Sequence, residues 1–387
     1  MSAALTRPLR IFIAHPSDLL TDHRPHGDGL VSFGFISRLA RRGHEVHVAA
    51  QVVDVRGHLP PTLHVYELLP GSRLAIRDRL AFMLRMRVLF DRLCTHVRFD
   101  LIHQMNPVFT GLSLSLMGVR TPLVLGAFVP AWQGGADDQD ARRRPGARVQ
   151  RLVLEALARV QQSRASGLLI TSPAAMSRIA RPERHLGRIY EIPHGIDLTR
   201  FPERSALPER PSVLFLANVI YRKGIFTLLE AFEQVARDVP GARLVIAGQG
   251  EQLEEVREKV AHMNTAGIEV LGNVDRTRVP EMMRSHSLYC LPSHGEPFGM
   301  SVLEAMASGV PVVATDGGGL SHLVTPQGSR LVPPRDAGAL ANAIVEVLRS
   351  PDLQRAMGRH NRRRVEAEFE IEGAVDRLEQ AYASVLA

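Results

Sequence analysis

The chain has 387 residues, 45% apolar and 22% charged, with 31 glycines and 25 prolines, and a formal net charge of +7. This composition is too apolar for disorder and long enough for two to three self-sufficient domains, and no run of about 18 apolar residues could span a bilayer. Cys94 and Cys290 stand far apart in apolar stretches, so neither a disulfide framework nor a cysteine metal set is expected, and with no apolar signal region ahead of the first strand a reducing cytoplasm is the expected compartment.

In chain order, short β-branched runs alternate with helical patterns, which predicts βαβ units and parallel sheets. Strands are expected at 10–15, 45–50, 100–104, 122–126, 167–171 and 189–193, with helices at 30–42, 74–97 and 147–164. A polar, glycine-rich stretch over 130–146 has the length of a lid or of a disordered loop, and its Asp137-Asp138 pair reads as a solvated run rather than a metal site. Three prolines and alternating charges mark 201–211 as a linker. A second series follows, with strands at 212–217, 243–247, 269–271, 288–291 and 310–314, then helices at 337–348, 351–369 and 373–386. The expected architecture is α/β: two doubly wound domains, 1–200 and 212–370, facing a cleft, with 371–387 as a helix packing back toward the first.

Charge is uneven. Residues 1–200 carry 27 Arg and no Lys against 16 acidic residues, a net of +11, whereas residues 201–387 net −4. A basic front half suits an anionic partner: nucleic acid, an anionic membrane or a phosphorylated substrate. The basic residues are dispersed through helices without an aromatic recognition motif, which disfavours nucleic acid. Within 73–98, seven Arg combine with Leu, Ile, Phe and Met at helical spacing; packing on the sheet is the favoured reading and contact with anionic lipid the alternative. Lys223 and Lys259 are the only lysines, so each marks a place where a compact cation stands among arginines.

The most specific stretch is SHGEPFGMSVLEAMASGVPVVATDGGG, Ser293 to Gly319. After a strand it turns through Gly295-Glu296-Pro297-Phe298-Gly299 into a helix near Met300, so the N–H groups of Phe298, Gly299 and Met300 are available for an anion or sugar hydroxyls. Glu296 and Glu304 are carboxylates able to accept from vicinal hydroxyls, at the strand end where open α/β sheets bind ligands. No C-x2-C, H-E-x-x-H or G-x-S-x-G motif supports a metal or serine hydrolase.

This E-x7-E segment resembles the signature of the retaining family-4 glycosyltransferases of GT-B fold. IPHGID (192–197), LFLANVIYRKGIFTLLEAF (214–232), LVIAGQGE (244–251) and VLGNVD (270–275) resemble the family's successive segments in order, and 26–46 and 99–107 extend the likeness into the first half. The resemblance implies that Glu304 holds the nucleotide ribose, Glu296 touches the transferred sugar and Lys223 holds the diphosphate. By the same resemblance, backbone at Gly248 and Val274 lines the base, and Gly27 and Gly29 form a loop approaching the sugar-phosphate. It also implies hexose transfer from a nucleotide-diphosphate sugar to a glycan, glycolipid or small-molecule hydroxyl, with retention, no metal and no cofactor. The chain departs from the family pattern at Asn218 (for Arg), at His194 (for Asn), at His322 (for Glu) and after strand 122–126, where LGAFVPAW leaves Phe128 or backbone in place of a His. Arg222 is the expected substitute cation. His15 and His103 end strands and are candidate contacts to acceptor or sugar, together with Phe128. A nucleotide-sugar-binding protein without turnover and a GT-B epimerase are the competing readings.

Overall fold

A computed structural model describes residues 5–71, 76–106, 108, 111–116, 118–130 and 147–387. Of the polar loop read at 130–146, residues 131–146 lie outside them. The chain divides into two compact units: one takes the chain up to Pro130, the stretch that ends at Gly195, and Ile371–Ala387; the other takes Ile196–Glu370. The boundary falls at Gly195/Ile196 rather than in the proline-rich stretch at 201–211. Phe201 is buried in the second unit's core, and Arg204 donates to the carbonyls of Gln354 (3.0 Å) and Ser287 (3.3 Å). That stretch therefore packs as part of the second unit instead of linking two bodies.

In the first unit, strands β1 (Arg10–His15), β2 (Leu20–Thr21), β3 (Glu45–Ala50), β4 (Val53–Asp54), β5 (Leu63–Glu67), β6 (Leu101–Gln104), β7 (Leu123–Phe128), β8 (Gly167–Ile170) and β9 (Ile189–Glu191) alternate with helices α1 (Gly27–Arg41), α2 (Ile76–Leu93) and α3 (Ala147–Arg164). Seven of the strands form an all-parallel sheet in the order β5-β3-β1-β6-β7-β8-β9, and β2 pairs with β4 in a small ribbon. Helices on both faces explain why every residue of β6, and all of β1 but Arg10, is buried. The strand at β5 escapes the sequence reading because it is an edge strand that leaves His64 and Glu67 in solvent, which dilutes its apolar signal.

On α2, Phe82, Met86 and Phe90 point into the core at four-residue spacing. A second stripe with the same spacing, Leu80, Leu84 and Val88, is 57%, 69% and 68% exposed. Packing on the sheet thus accounts for one apolar face of this basic helix and leaves another in water.

In the second unit, β10 (Ser212–Leu216), β11 (Arg243–Ala247), β12 (Ile268–Gly272), β13 (Leu288–Leu291), β14 (Val312–Thr315) and β15 (Ser329–Val332) form a parallel sheet ordered β12-β11-β10-β13-β14-β15. Its helices are α4 (Ile225–Asp238), α5 (Leu253–His262), α6 (Val279–Arg284), α7 (Met300–Ala307), α8 (Leu320–Leu323), α9 (Ala337–Leu348) and α10 (Pro351–Glu368). The last helix, α11 (Ile371–Leu386), belongs to the first unit, where Ile371, Val375, Leu378 and Tyr382 join the core beneath α1. Charges line the same seam: Arg38 meets Glu372 at 2.8 Å, and Arg42 meets Asp376 at 2.6 Å and Glu379 at 2.8 Å.

Candidate functional site

In the second unit the sheet changes winding direction between β10 and β13, whose pairing runs through Val213↔Leu288 and Leu214↔Tyr289. The loops leaving the C-terminal ends of these two strands flank such a switch point, where parallel α/β sheets leave room for a ligand. The loop after β10 carries Lys223, and the loop after β13 carries Glu296.

These loops are held in place from below. Tyr289 is fully buried, and its hydroxyl lies 2.7 Å from Ser301 Oγ and 3.0 Å from the Leu216 carbonyl, which ties β13, α7 and β10 together. The Ser293 hydroxyl donates to the Gly295 carbonyl at 3.0 Å, and Thr315 Oγ1 donates to the Ser293 carbonyl. Gly224 has φ +73°, and a Cβ there would overlap the Pro292 carbonyl, so only glycine lets the loop after β10 reach β13. Gly299 has φ +88° as the N-cap of α7, and its missing side chain leaves space for Leu320.

On this frame Glu296 and Glu304 are both buried, 7% and 3% exposed. Each carboxylate meets a cation. Lys223 Nζ bonds Glu296 Oε2, with Arg222 Nη1 4.0 Å from the same oxygen and donating to the Gly295 carbonyl at 3.0 Å. Arg276 Nη2 bonds Glu304 Oε1. Burial pulls the Arg276 guanidinium toward lower pKa, but Glu304 outweighs it and holds the group above its ordinary value. Arg276 Nε is buried without a partner, and the guanidinium lies 5.7 Å from the Phe201 ring centroid. Lys223 therefore stands on Glu296, and the charge on Glu304 is balanced by a residue that motif reading did not single out. Its signal was faint: Arg276 follows Val274-Asp275, and Asp275 caps the local turn by accepting from Thr277 N at 2.8 Å.

The remaining predicted positions of this unit lie around the same strand ends. Gly248 has φ +141°, and a Cβ there would overlap the Ala217 carbonyl, so the loops after β11 and β10 run in backbone contact, with Val219 N donating to Gln249 O at 2.9 Å. Asn218 is exposed and Val274 half-buried. Phe298, Gly299 and Met300 stand at the start of α7, whose first N–H groups have no partner inside the helix. The Phe298 ring is buried edge-on against Phe369, with centroids 6.4 Å apart. His322 is exposed on α8.

The predicted positions of the first unit are placed as follows. Gly27 and Gly29 are not a loop: they open α1, with Gly29 N donating to Nδ1 of the N-cap residue His26 at 3.0 Å. A side chain at Gly29 would overlap the Leu19 carbonyl, so the glycine serves close packing. His103 is a satisfied core residue, since its ring nitrogens meet the Tyr382 hydroxyl at 2.6 Å and the Gly126 carbonyl at 3.0 Å. Phe128 is buried among Leu125, Leu168 and Ile170, because β7 runs two residues further than the sequence pattern indicated. Of the three candidate contacts here, His15 alone keeps an unsatisfied atom: Nδ1 is buried without a partner, and Nε2 lies 3.4 Å from Leu19 O. Burial pushes His15, His103 and His194 each down to about 4.

The sheet of this unit reverses between β1 and β6, and a polar network sits there that the motifs did not announce. His26 Nε2 meets Asp18 at 2.7 Å, and Asn106 donates to Asp28 at 2.9 Å. Burial raises the Asp28 carboxyl above the usual range.

Two family models match consecutive parts of the chain: Glycosyltransferase Family 4 over residues 31–200 and Glycosyl transferases group 1 over residues 199–364. The chain belongs to glycosyltransferase family 4. Among curated relatives of this family-4 chain, glycogen synthase of Mycobacterium tuberculosis is 30% identical over 201 residues, 51% of this chain and 49% of that protein. Phosphatidyl-myo-inositol mannosyltransferase of Mycolicibacterium smegmatis is 34% identical over 171 residues, 42% of this chain and 44% of that one. The family-4 chain thus spans about half the length of the curated relatives it matches. Sucrose-phosphate synthase from Thermosynechococcus elongatus superposes with TM-score 0.75 at 24% identity, covering 96% of this chain and 98% of the other. HepE of Anabaena, solved with UDP and glucose, superposes with TM-score 0.70 at 18% identity and the same coverage. These likenesses establish the GT-B fold, two Rossmann-like α/β units.

Proposed function

We propose that this chain transfers a hexose from a nucleotide-diphosphate sugar to a hydroxyl of a glycan, glycolipid or small molecule, with retention at the anomeric carbon and without a metal. The observation that carries this reading is the pair of buried carboxylates eight positions apart, each matched by a cation, at the switch point of the second sheet. Glu304 accepts from the two ribose hydroxyls, which displace Arg276 from its oxygens in whole or part. Lys223 turns from Glu296 to the diphosphate, where it neutralises the charge that grows as the leaving group departs, and the N–H groups opening α7 add to that field. Arg222, beside it, supplies a second cation where Asn218 offers none. Glu296, released from Lys223, hydrogen-bonds the transferred sugar. In this scheme the acceptor attacks from the face the leaving phosphate vacates, and that phosphate takes its proton, so no protein base is required. Solved HepE complexes contain UDP and UDP-glucose, which favours a uridine donor as the first to be tried.

The test is a thermal-shift screen of UDP-, GDP- and ADP-sugars followed by turnover with EDTA present. Selective stabilisation by one donor and metal-free transfer support the proposal. Binding of a donor without transfer to any acceptor would leave a nucleotide-sugar-binding protein, and a changed sugar nucleotide without acceptor would make it an epimerase. Parent-like binding of UDP and GDP by both Glu304→Gln and Lys223→Ala would refute the site.

A second element of the proposal concerns location. No helix of the described residues is long and apolar enough to cross a membrane. The exposed stripe Leu80, Leu84 and Val88, on a helix that also exposes Arg79, Arg85 and Arg92, favours peripheral contact with an anionic membrane. We accordingly place the protein in the cytoplasm, resting on the inner face of its membrane; flotation with vesicles containing anionic lipid tests this.

A further inference from the structure

The edge of the first sheet carries a second constellation of chemistry-bearing side chains. Glu45 and His47 are two residues apart on β3 and so share one face of the sheet, and His64 on β5 is the register partner of His47. Glu45 Oε1 lies 3.1 Å from His47 Nε2, the His47 and His64 rings have centroids 4.6 Å apart, and one ligand atom from each of the three residues lies within 4.8 Å of the other two. Among the described residues no other group of three His, Cys, Asp or Glu is this close.

We propose that Glu45, His47 and His64 form a transition-metal site, suited to Zn²⁺, that staples the edge strand β5 to β3. Zinc bonds of about 2.0–2.2 Å to imidazole and carboxylate put tetrahedral ligand atoms ~3.3 Å apart. The Glu45–His47 pair already has that spacing, and His64, being exposed, closes on it by turning its side chain. The outer shell is also present. His47 Nδ1 lies 3.0 Å from the Tyr66 hydroxyl, a partner able to accept the ring proton when a metal replaces the Nε2–H bond to Glu45 and takes the Nε2 lone pair. The Phe99 ring stands at 85° to His47 and restricts its rotation, while Arg10 holds the other oxygen of Glu45 at 3.2 Å. Two imidazoles and one carboxylate select Zn²⁺ and its neighbours over Mg²⁺ or Ca²⁺, which prefer all-oxygen shells. Glu45 opens β3, so the site sits at the N-terminal end of the sheet, away from the strand ends where ligands of parallel α/β sheets bind. Its role is therefore structural, and it stands independently of the transferase reading.

The experiment uses the full chain without a histidine tag, stripped with EDTA and desalted. Titration with Co²⁺ should give visible d–d bands that saturate at one ion per chain and disappear on adding Zn²⁺, and Zn²⁺ should raise Tm. His64→Ala changes an exposed side chain and leaves the core alone; it should weaken Co²⁺ binding roughly tenfold or more and remove the Zn²⁺-induced rise in Tm, as should Glu45→Gln. Tyr66→Phe, which keeps all three ligands, should weaken binding to a smaller degree. Absence of saturable Co²⁺ binding to the parent, or equal binding and Tm shift in the Glu45→Gln/His64→Ala chain, overturns the proposal. Donor binding should be the same with or without Zn²⁺, so failure of this site and failure of the nucleotide-sugar site are read separately.

Discussion

The pairing of Glu304 with Arg276 makes a quantitative prediction. The side chains are 4% and 16% exposed, so both charges sit largely out of water. Removing one member of such a buried pair strands the other and costs about 3–5 kcal/mol. Arg276→Met should approach that range, because it leaves Glu304 charged and buried. Glu304→Gln should cost less, about 2–3 kcal/mol, since the amide oxygen still accepts from Arg276. The double variant should lose far less than the sum, with a coupling of at least about 2 kcal/mol, because neither charge is then left alone. Hydrogen exchange read on peptides of β13 and α7 measures the local opening free energies without requiring the two-unit chain to melt in one step. UDP titration supplies the functional arm. Losing the charge-assisted bonds to ribose, worth about 1.5–3 kcal/mol, should weaken binding roughly 10–100-fold in Glu304→Gln, whereas Arg276→Met, which keeps the carboxylate, should lose much less. Single variants that each cost under about 1 kcal/mol and add without coupling would refute the buried-pair argument. Unchanged UDP affinity in Glu304→Gln would refute the ribose assignment.

Acid should unfold the first unit through its histidines. His15, His103 and His194 titrate near 4 when folded against 6.5 in the open chain, so between those values the unfolded state holds more protons and stability falls with falling pH. At pH 5 each contributes a loss of about 2 kcal/mol, and thermal melts from pH 7 to 4.5 should show a steep drop; a flat profile would contradict the buried neutral state. Gly224→Ala, forced into φ +73° against the Pro292 carbonyl, should destabilise the second unit by about 3 kcal/mol or more in urea titration. Lys223→Ala should cut kcat more than it raises KM in steady-state assays, because the proposed mechanism sets its charge against the departing diphosphate. Leu84→Glu, which removes no core contact at 69% exposure, should leave Tm within a degree or so of the parent and abolish vesicle flotation; flotation equal to the parent's would exclude the α2 stripe as the contact.

Much of this molecule was legible before any coordinates. Buried parallel strands read as short, largely apolar runs, which is why β1, β3, β11 and β13 fall where the pattern put them. The turn Gly295–Gly299 could be assigned because its glycines, proline and carboxylates follow one strand and open one helix within a few residues. Local chemistry of that kind is written in consecutive positions. What stayed hidden depends on which distant residues meet. Edge strands such as β5 carry a weak apolar signal, and whether Gly27 opens a helix or a loop is settled by the His26 cap and by the Leu19 backbone packed against Gly29.

Composition and spacing by themselves determined an α/β chain with two doubly wound units and the E-x7-E segment, because each is specified by neighbours along the chain. Only the tertiary structure decided that Arg276 balances Glu304, that Tyr382 and Gly126 occupy His103, that α11 returns to the first unit, and that His64 faces Glu45 and His47. Those pairings join residues 17 to 330 or more positions apart, and packing in three dimensions, which no local pattern encodes, selects them.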